Sequence, residues 1–198
     1  MFQIASGVEI PCPENIKEEF QIFDKYIQFN LSFEKLKPLI EEIIDQLPEP
    51  LFFILEIPLL QQEEFELRKE STCPFHKKGC YLGDQSINQI KDLFYKHGDL
   101  LLSDGISQFA IYSHTAKDGI YIQKYKIITI FSNSPAEYVE ILRKYNLTQT
   151  DKLITAWDTF SCETPGNLHR IETNGIDIFD VYDELIKKGM FVVEIAED

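Results

Sequence analysis

No catalytic signature occurs in the 198 residues. There is no GxGxxG, GxxxxGK[ST], GxSxG, HExxH or EF-hand loop, so the glycine cradles, nucleophile elbow and metal motifs of the common enzyme classes are missing. Long apolar runs are missing too. The longest, Leu51 to Leu60, is broken by Glu56 and Pro58 and is too short to span a bilayer. The first ten residues, MFQIASGVEI, hold neither a basic stretch nor a long apolar one, which argues against a secretory signal and for a cytoplasmic protein. Cysteine is scarce. Cys12, Cys73, Cys80 and Cys162 are then expected as reduced thiols, and the sequons at Asn30 and Asn146 carry no glycan. Positive charge is in deficit, with 19 Lys and Arg against 33 Asp and Glu, a net −14. That excess repels phosphates and excludes nucleic acid as the expected ligand. No internal repeat and no low-complexity tract occurs.

What the chain does have is acid, unevenly placed, and aromatic rings. Residues 1–66 carry 14 acids against 4 lysines, a balance of −10; residues 67–133 balance at +3 and residues 134–198 at −7. Such asymmetry bears on partners and solubility. Hydrophobic residues make up 44%, with 15 Phe, 9 Tyr and 1 Trp, enough for a core that needs neither disulfide nor metal.

The local pattern predicts an α+β fold. Helices are expected over Pro13–Gln28 (Ile16, Phe20, Phe23 and Ile27 at helical spacing), Pro38–Gln46, a short stretch of Gln61–Glu70, Ile87–His97 with Gly98 as its stop, Ser134–Tyr145 behind the Ser-Pro-Ala-Glu capping box, and Asp177–Lys188 ended by Gly189. Strands are expected at Leu51–Ile57, buried on both faces, at Ser107–Thr115 and Tyr121–Phe131 as a hairpin around Lys117-Asp118-Gly119, at Leu153–Phe160, and at Met190–Ile195. Ser71–Gly83, with Pro74, Gly79 and Gly83, reads as a long loop. The sum is one α+β domain over residues 1–198, with a central, largely antiparallel or mixed sheet of four or five strands flanked by helices. The stretch 66–83, where the charge balance changes, is the one candidate boundary.

Two clusters stand out chemically. Cys73, His76 and Cys80 lie within eight residues and could supply three ligands of a zinc site, with His97, His114 or Cys12 as the fourth; no second CxxC or HxxxH pair supports them. The same loop carries Arg68, Lys69, Lys77 and Lys78, a basic patch for an acidic partner or surface. Glu63, Glu64 and Glu66 form the densest acid cluster outside a marked helix. Cys162, His169 and Asp177 have the residue types of a nucleophilic triad but fall in or near one loop, whereas triads converge from separate elements. Ser113 and His114 adjoin on a strand and so point to opposite faces.

The expected function is a non-enzymatic acidic protein-binding module for a basic protein, with Glu63, Glu64 and Glu66 as the partner-binding residues and no cofactor. Size and charge resemble those of the small acidic immunity proteins that neutralise basic toxins in bacteria, a likeness resting on those two features alone. The alternatives are a zinc-binding or thiol-dependent enzyme using the Cys73–Cys80 loop, and a structural subunit of a larger assembly.

Overall fold

The structure, a computed structural model, describes residues 2–68, 70 and 72–197. In chain order the elements are β1 (Val8–Glu9), β2 (Glu19–Ile22), β3 (Tyr26–Phe29), α1 (Phe33–Ile44), β4 (Leu51–Pro58), α2 (Gln61–Leu67), β5 (His76–Gln85), α3 (Ile87–Ser103), β6 (Gln108–Ser113), β7 (Gly119–Ile122), β8 (Ile128–Phe131), α4 (Ala136–Lys144), β9 (Thr148–Gln149), β10 (Asn167–Leu168), α5 (Ile178–Lys187) and β11 (Phe191–Glu197). The fold class is α+β, as the pattern predicts. The sheet is much larger than four or five strands: nine pair in the order β11-β5-β4-β6-β7-β8-β3-β2-β9, and β1 pairs with β10 in a separate small sheet. All pairings in the large sheet are antiparallel except β2 with β9.

Most of the extra strands come from two segments expected to be something else. Pro13–Gln28 is not a helix. After a short 3-10 turn at Pro13–Asn15 it forms the β2–β3 hairpin, with Phe20 opposite Phe29 and Ile22 opposite Ile27. The helical spacing of Ile16, Phe20, Phe23 and Ile27 is incidental to the period-two burial of Phe20, Ile27 and Phe29. Nor is Ser71–Gly83 a loop, since β5 begins at His76. Its glycines serve packing: a Cβ on Gly83 would lie 2.7 Å from the Tyr81 ring, and one on Gly79 would lie 3.0 Å from Cγ of Glu194 on β11. The 121–131 strand is two strands, β7 and β8, joined by a turn in which Tyr125 and Lys126 adopt φ of 57° and 56°. Leu153–Phe160 holds a 3-10 turn at Ala156–Thr159 in place of a strand, capped by the Thr155–Asp158 pair.

Helix ends also move. α1 starts five residues before the expected Pro38, which lies inside it. α3 runs through Gly98 to Ser103 because Leu100, Leu101 and Leu102 continue its buried face. α5 is as expected: the Asp177 carboxylate accepts from the amides of Phe179 (2.8 Å) and Asp180 (3.2 Å), and Gly189 follows at φ 101°.

β4 shows the layering. Leu51, Phe53, Leu55 and Ile57 are buried; Phe52, Ile54, Glu56 and Pro58 alternate with them and are half-buried. The buried side joins Ile27, Phe29, Leu82, Phe109, Ile111, Ile120, Ile122, Ile128 and Ile130 in one cluster with the apolar faces of α1, α3, α4 and α5. These four helices therefore lie on one face of the sheet, and no described helix covers the other. No described helix is long and apolar enough to cross a membrane. The small β1–β10 sheet is tied to the end of α3 by backbone bonds among Gly7, Ser103, Gly105 and His169. Gly7 and Gly105 stand so close that a Cβ on Gly105 would lie 1.8 Å from the Gly7 carbonyl oxygen.

Candidate functional site

Period-two alternation sends every second residue of these strands to the helix-free face. Along one edge of that face the outward residues are aromatic. Phe23, at the β2–β3 turn, stacks on Tyr26 with centroids 4.3 Å apart. Tyr26 meets Phe131 of β8 at 5.8 Å, and Phe131 meets Tyr112 of β6 at 6.1 Å. Tyr112 stacks on Phe52 of β4 at 5.5 Å, Phe52 meets Tyr81 of β5 at 5.4 Å, and Tyr81 meets Phe191 of β11 at 5.6 Å. Seven rings thus run in unbroken contact across the sheet. β7, between β6 and β8, contributes Gly119 at this level, opposite both Tyr112 and Phe131. A Cβ there would lie 2.0 Å from the Tyr112 ring, so the glycine is what lets the ring lie flat across the strand. Each ring except Phe191 is half-buried by its neighbours; Phe191, at the end, is 52% exposed.

His114 adds a polar group to the ladder. It is exposed, its ring lies 4.6 Å from Phe52, and its Nε2 is 2.9 Å from the Tyr81 hydroxyl. Burial pushes the Tyr112 hydroxyl up to about 12, and burial, with Asp84 beside it, raises that of Tyr81. Both stay neutral donors. Beside the ladder, on the same face, lies a polar group centred on Glu56. Its carboxylate accepts from Lys77 Nζ (2.5 Å), Gln108 Nε2 (3.1 Å) and the Tyr121 hydroxyl (3.2 Å). It is self-satisfied, which makes it a structural floor and leaves the rings as the part with unfilled contact area.

The residues singled out from sequence fare differently. Glu63, Glu64 and Glu66 are placed differently. Glu64 is buried and binds the His76 amide and, at 3.1 Å, His76 Nδ1. Burial pushes the Glu63 carboxyl up, but bonds from Lys78 Nζ (2.6 Å) and the Leu60 amide (3.0 Å) outweigh this and hold it below the usual range. Only Glu66 stands in solvent with no ion pair among the described residues.

Cys73, His76 and Cys80 are not brought together. His76 and Cys80 are four residues apart on the extended strand β5, roughly 13 Å along it, and Cys73 lies in the turn before it. Cys80 is fully buried in the core, and burial pushes its thiol up to about 11. Among the described residues no group of three His, Cys, Asp or Glu side chains is placed to hold a metal. Of the fourth-ligand candidates, Cys12 is exposed, His97 is buried on α3 beside Glu184, and His114 belongs to the ring ladder.

The basic patch is likewise spent within the fold. Lys77 pairs with Glu56, Lys78 with Glu63, and Arg68 lies over Phe75 and donates to the Cys73 carbonyl; Lys69 lies outside the described residues. In the would-be triad, His169 pairs with Glu9 at 3.2 Å, Asp177 caps α5 and Cys162 is exposed. Ser113 and His114 do face opposite ways: Ser113 is buried and donates to the Pro48 carbonyl.

No family model, no curated protein and no solved structure matches this chain.

Proposed function

We propose that this protein is a non-enzymatic acidic binding module that recognises a basic protein partner on the helix-free face of its sheet, arginine and lysine side chains lying over the ladder of rings. One observation carries the reading: seven aromatic rings in unbroken contact on a sheet face without helices, in a chain of net charge −14. A guanidinium over a ring face gains about 0.5–2 kcal/mol, more as water is excluded. Aromatic side chains are the usual anchors of protein interfaces.

The charge supplies the approach. Many cations are already committed, among them Lys35 to Glu18, Lys37 to Asp99, Lys91 to Asp45 and Lys144 to Glu42. Acids such as Glu14, Glu34, Glu66 and Asp183 have no ion pair among the described residues. The uncompensated acid steers a basic partner toward the protein, and the effect fades with salt. An immunity-like role, masking a basic toxin, is the same chemistry put to use. The acids then set the rate of encounter, while the rings set affinity.

An oligoarginine peptide tests this, titrated calorimetrically at low and high salt against an oligolysine peptide of equal length. Expected are tighter binding of oligoarginine and a loss of that preference in the Phe52→Ala/Tyr112→Ala double variant. Equal affinity of the two peptides, unchanged by the double variant, would leave only a diffuse charge effect and overturn the reading.

A further inference from the structure

The two edges of the large sheet are built differently. β9 ends it with two exposed polar residues, Thr148 and Gln149, paired in parallel to β2. β11 ends it with seven residues, Phe-Val-Val-Glu-Ile-Ala-Glu, bonded on one side only, to β5. An edge of that length is normally blunted by charge, proline or cover, because its free amides and carbonyls accept another strand. Here four apolar side chains are left in solvent: Phe191 at 52%, Val192 at 39%, Val193 at 62% and Ile195 at 52%. Between and after them stand Glu194 and Glu197, neither in an ion pair among the described residues. Phe191 is also the open end of the ring ladder.

We propose that β11 is the docking edge for an extended basic segment of the partner, which adds to the sheet as a tenth strand. The proposal rests on the reading of the protein as a binder of basic partners and names how that partner is held. Main-chain bonds along β11 supply affinity, and alternate side chains of the added strand supply selectivity. On one face its apolar residues cover Val192 and Ile195. On the other its cations reach Glu194 and the rings of Phe191 and Tyr81, since in β11 Phe191 sits opposite Tyr81 and Glu194 opposite Gly79. Charge selects this occupant over a second copy of the chain. Fully overlapped antiparallel self-pairing of β11, centred on residue 194 of 191–197, would set Glu194 directly opposite its own image on a protein that is already at −14, and directly opposed like charges destabilise a sheet.

The register shift between Val192 and Glu194 leaves Val193 outside the pairing with β5, which gives a clean variant. Val193→Pro changes the one residue within the β11 register that has no recorded β5 partner. The experiment is amide hydrogen exchange on the intact chain with an alternating Arg-Val peptide, run beside oligoarginine. Slowed exchange across 191–197, with about tenfold weaker binding of the alternating peptide to a Val193→Pro protein that keeps its melting temperature, is the expected result. Glu194→Lys/Glu197→Lys gives a similar loss without touching the backbone. If oligoarginine binds but the alternating peptide leaves 191–197 unprotected, the edge proposal fails and the ring-face reading stands. If neither peptide binds, both fail. Protection of 191–197 in the free protein, rising with its concentration, identifies a second copy as the occupant and overturns the proposal.

Discussion

The two faces of the nine-stranded sheet use adjacent residues of the same strands for opposite purposes. On the covered face the side chains are mostly aliphatic, and Leu55, Ile111, Ile120, Ile122, Ile128 and Ile130 are fully enclosed. On the helix-free face the corresponding row is Tyr26, Phe131, Tyr112, Phe52 and Tyr81. Aliphatic side chains interlock with helices and fill volume, which is what a core needs. Rings in contact shield one another in part and stay half-buried, with apolar area still toward solvent. The difference shows that exposed apolar area can be kept ordered without a second layer, provided that it is built from planar groups.

Phe52 and Phe53 put that difference to its sharpest test, being the same residue one position apart. Phe53→Ala opens a hole in an enclosed site and is expected to cost about 3–5 kcal/mol in chemical denaturation. Phe52→Ala removes a half-exposed ring and its three ring contacts, to Tyr81, Tyr112 and His114, with an expected cost of about 1–2 kcal/mol, while abolishing the arginine preference. Equal costs would mean that the helix-free face is as enclosed as the core. The next largest effect lies at Gly119. An alanine Cβ there meets the Tyr112 ring at 2.0 Å and, less negotiably, the Ile111 carbonyl oxygen at 2.6 Å. Tyr112 can swing away but the backbone of β6 cannot, so Gly119→Ala is expected to cost about 2–3 kcal/mol and to break the ladder between Phe131 and Tyr112.

Those pairs also show what was legible in the sequence. The Leu51–Ile57 run announced a strand, and the Lys117-Asp118-Gly119 turn announced the β6–β7 hairpin, because both signals are local. Which of Phe52 and Phe53 faces the helices was not legible: LFFILEI reads as buried on both sides when its outward residues are aromatic. The ladder is assembled from six strands distant in sequence, and register sets which residues meet. Gly79 and Gly83 misled for the same reason. They punctuate a loop when read locally, yet in the sheet they make room for Glu194 and Tyr81 from across and along the strand. Glu63 and Glu64 looked like a free acidic surface because their partners, Lys78 and His76, lie more than ten residues away.

Titration at alkaline pH sharpens the comparison from the ladder's side. The Tyr112 hydroxyl is raised to about 12 by burial, so the folded state favours the neutral form relative to the unfolded chain. A phenol with a raised folded pKa contributes stability that is whole below about pH 10 and is lost as pH rises toward about 12. Denaturation midpoints should fall over that window, and Tyr112→Phe should fall less. Absorbance of the phenolate assigns the step. If Tyr112 titrates with the bulk of the tyrosines, the ladder is wetter than its ring contacts imply.

The smallest expected effect tests the covered face, where charge closes the helix layer. On α5, Glu184 accepts from Lys96 Nζ (2.6 Å) and Lys188 Nζ (2.9 Å), and these bonds hold its carboxyl down at about 2. His97, buried on α3, has Nε2 3.2 Å from the same carboxylate, and that nitrogen makes no hydrogen bond among the described residues. Burial lowers the His97 pKa, against the pull of Glu184. Both shifts act in one direction. A carboxylate with a depressed folded pKa stabilises above about pH 4.5 and stops doing so as pH falls toward about 2. A histidine held neutral resists the proton that the unfolded chain accepts below about pH 6.5, so stability falls there as well. Stability should therefore decline with acid in two windows, the upper from His97 and the lower from Glu184. Glu184→Gln is expected to cost about 0.5 kcal/mol at neutral pH, since the Lys96 and Lys188 partners are more than half exposed, to flatten the lower window and, by removing the pull on His97, to deepen the upper one. An upper window left unchanged in the same variant would show that burial alone, with no pull from the carboxylate, governs His97.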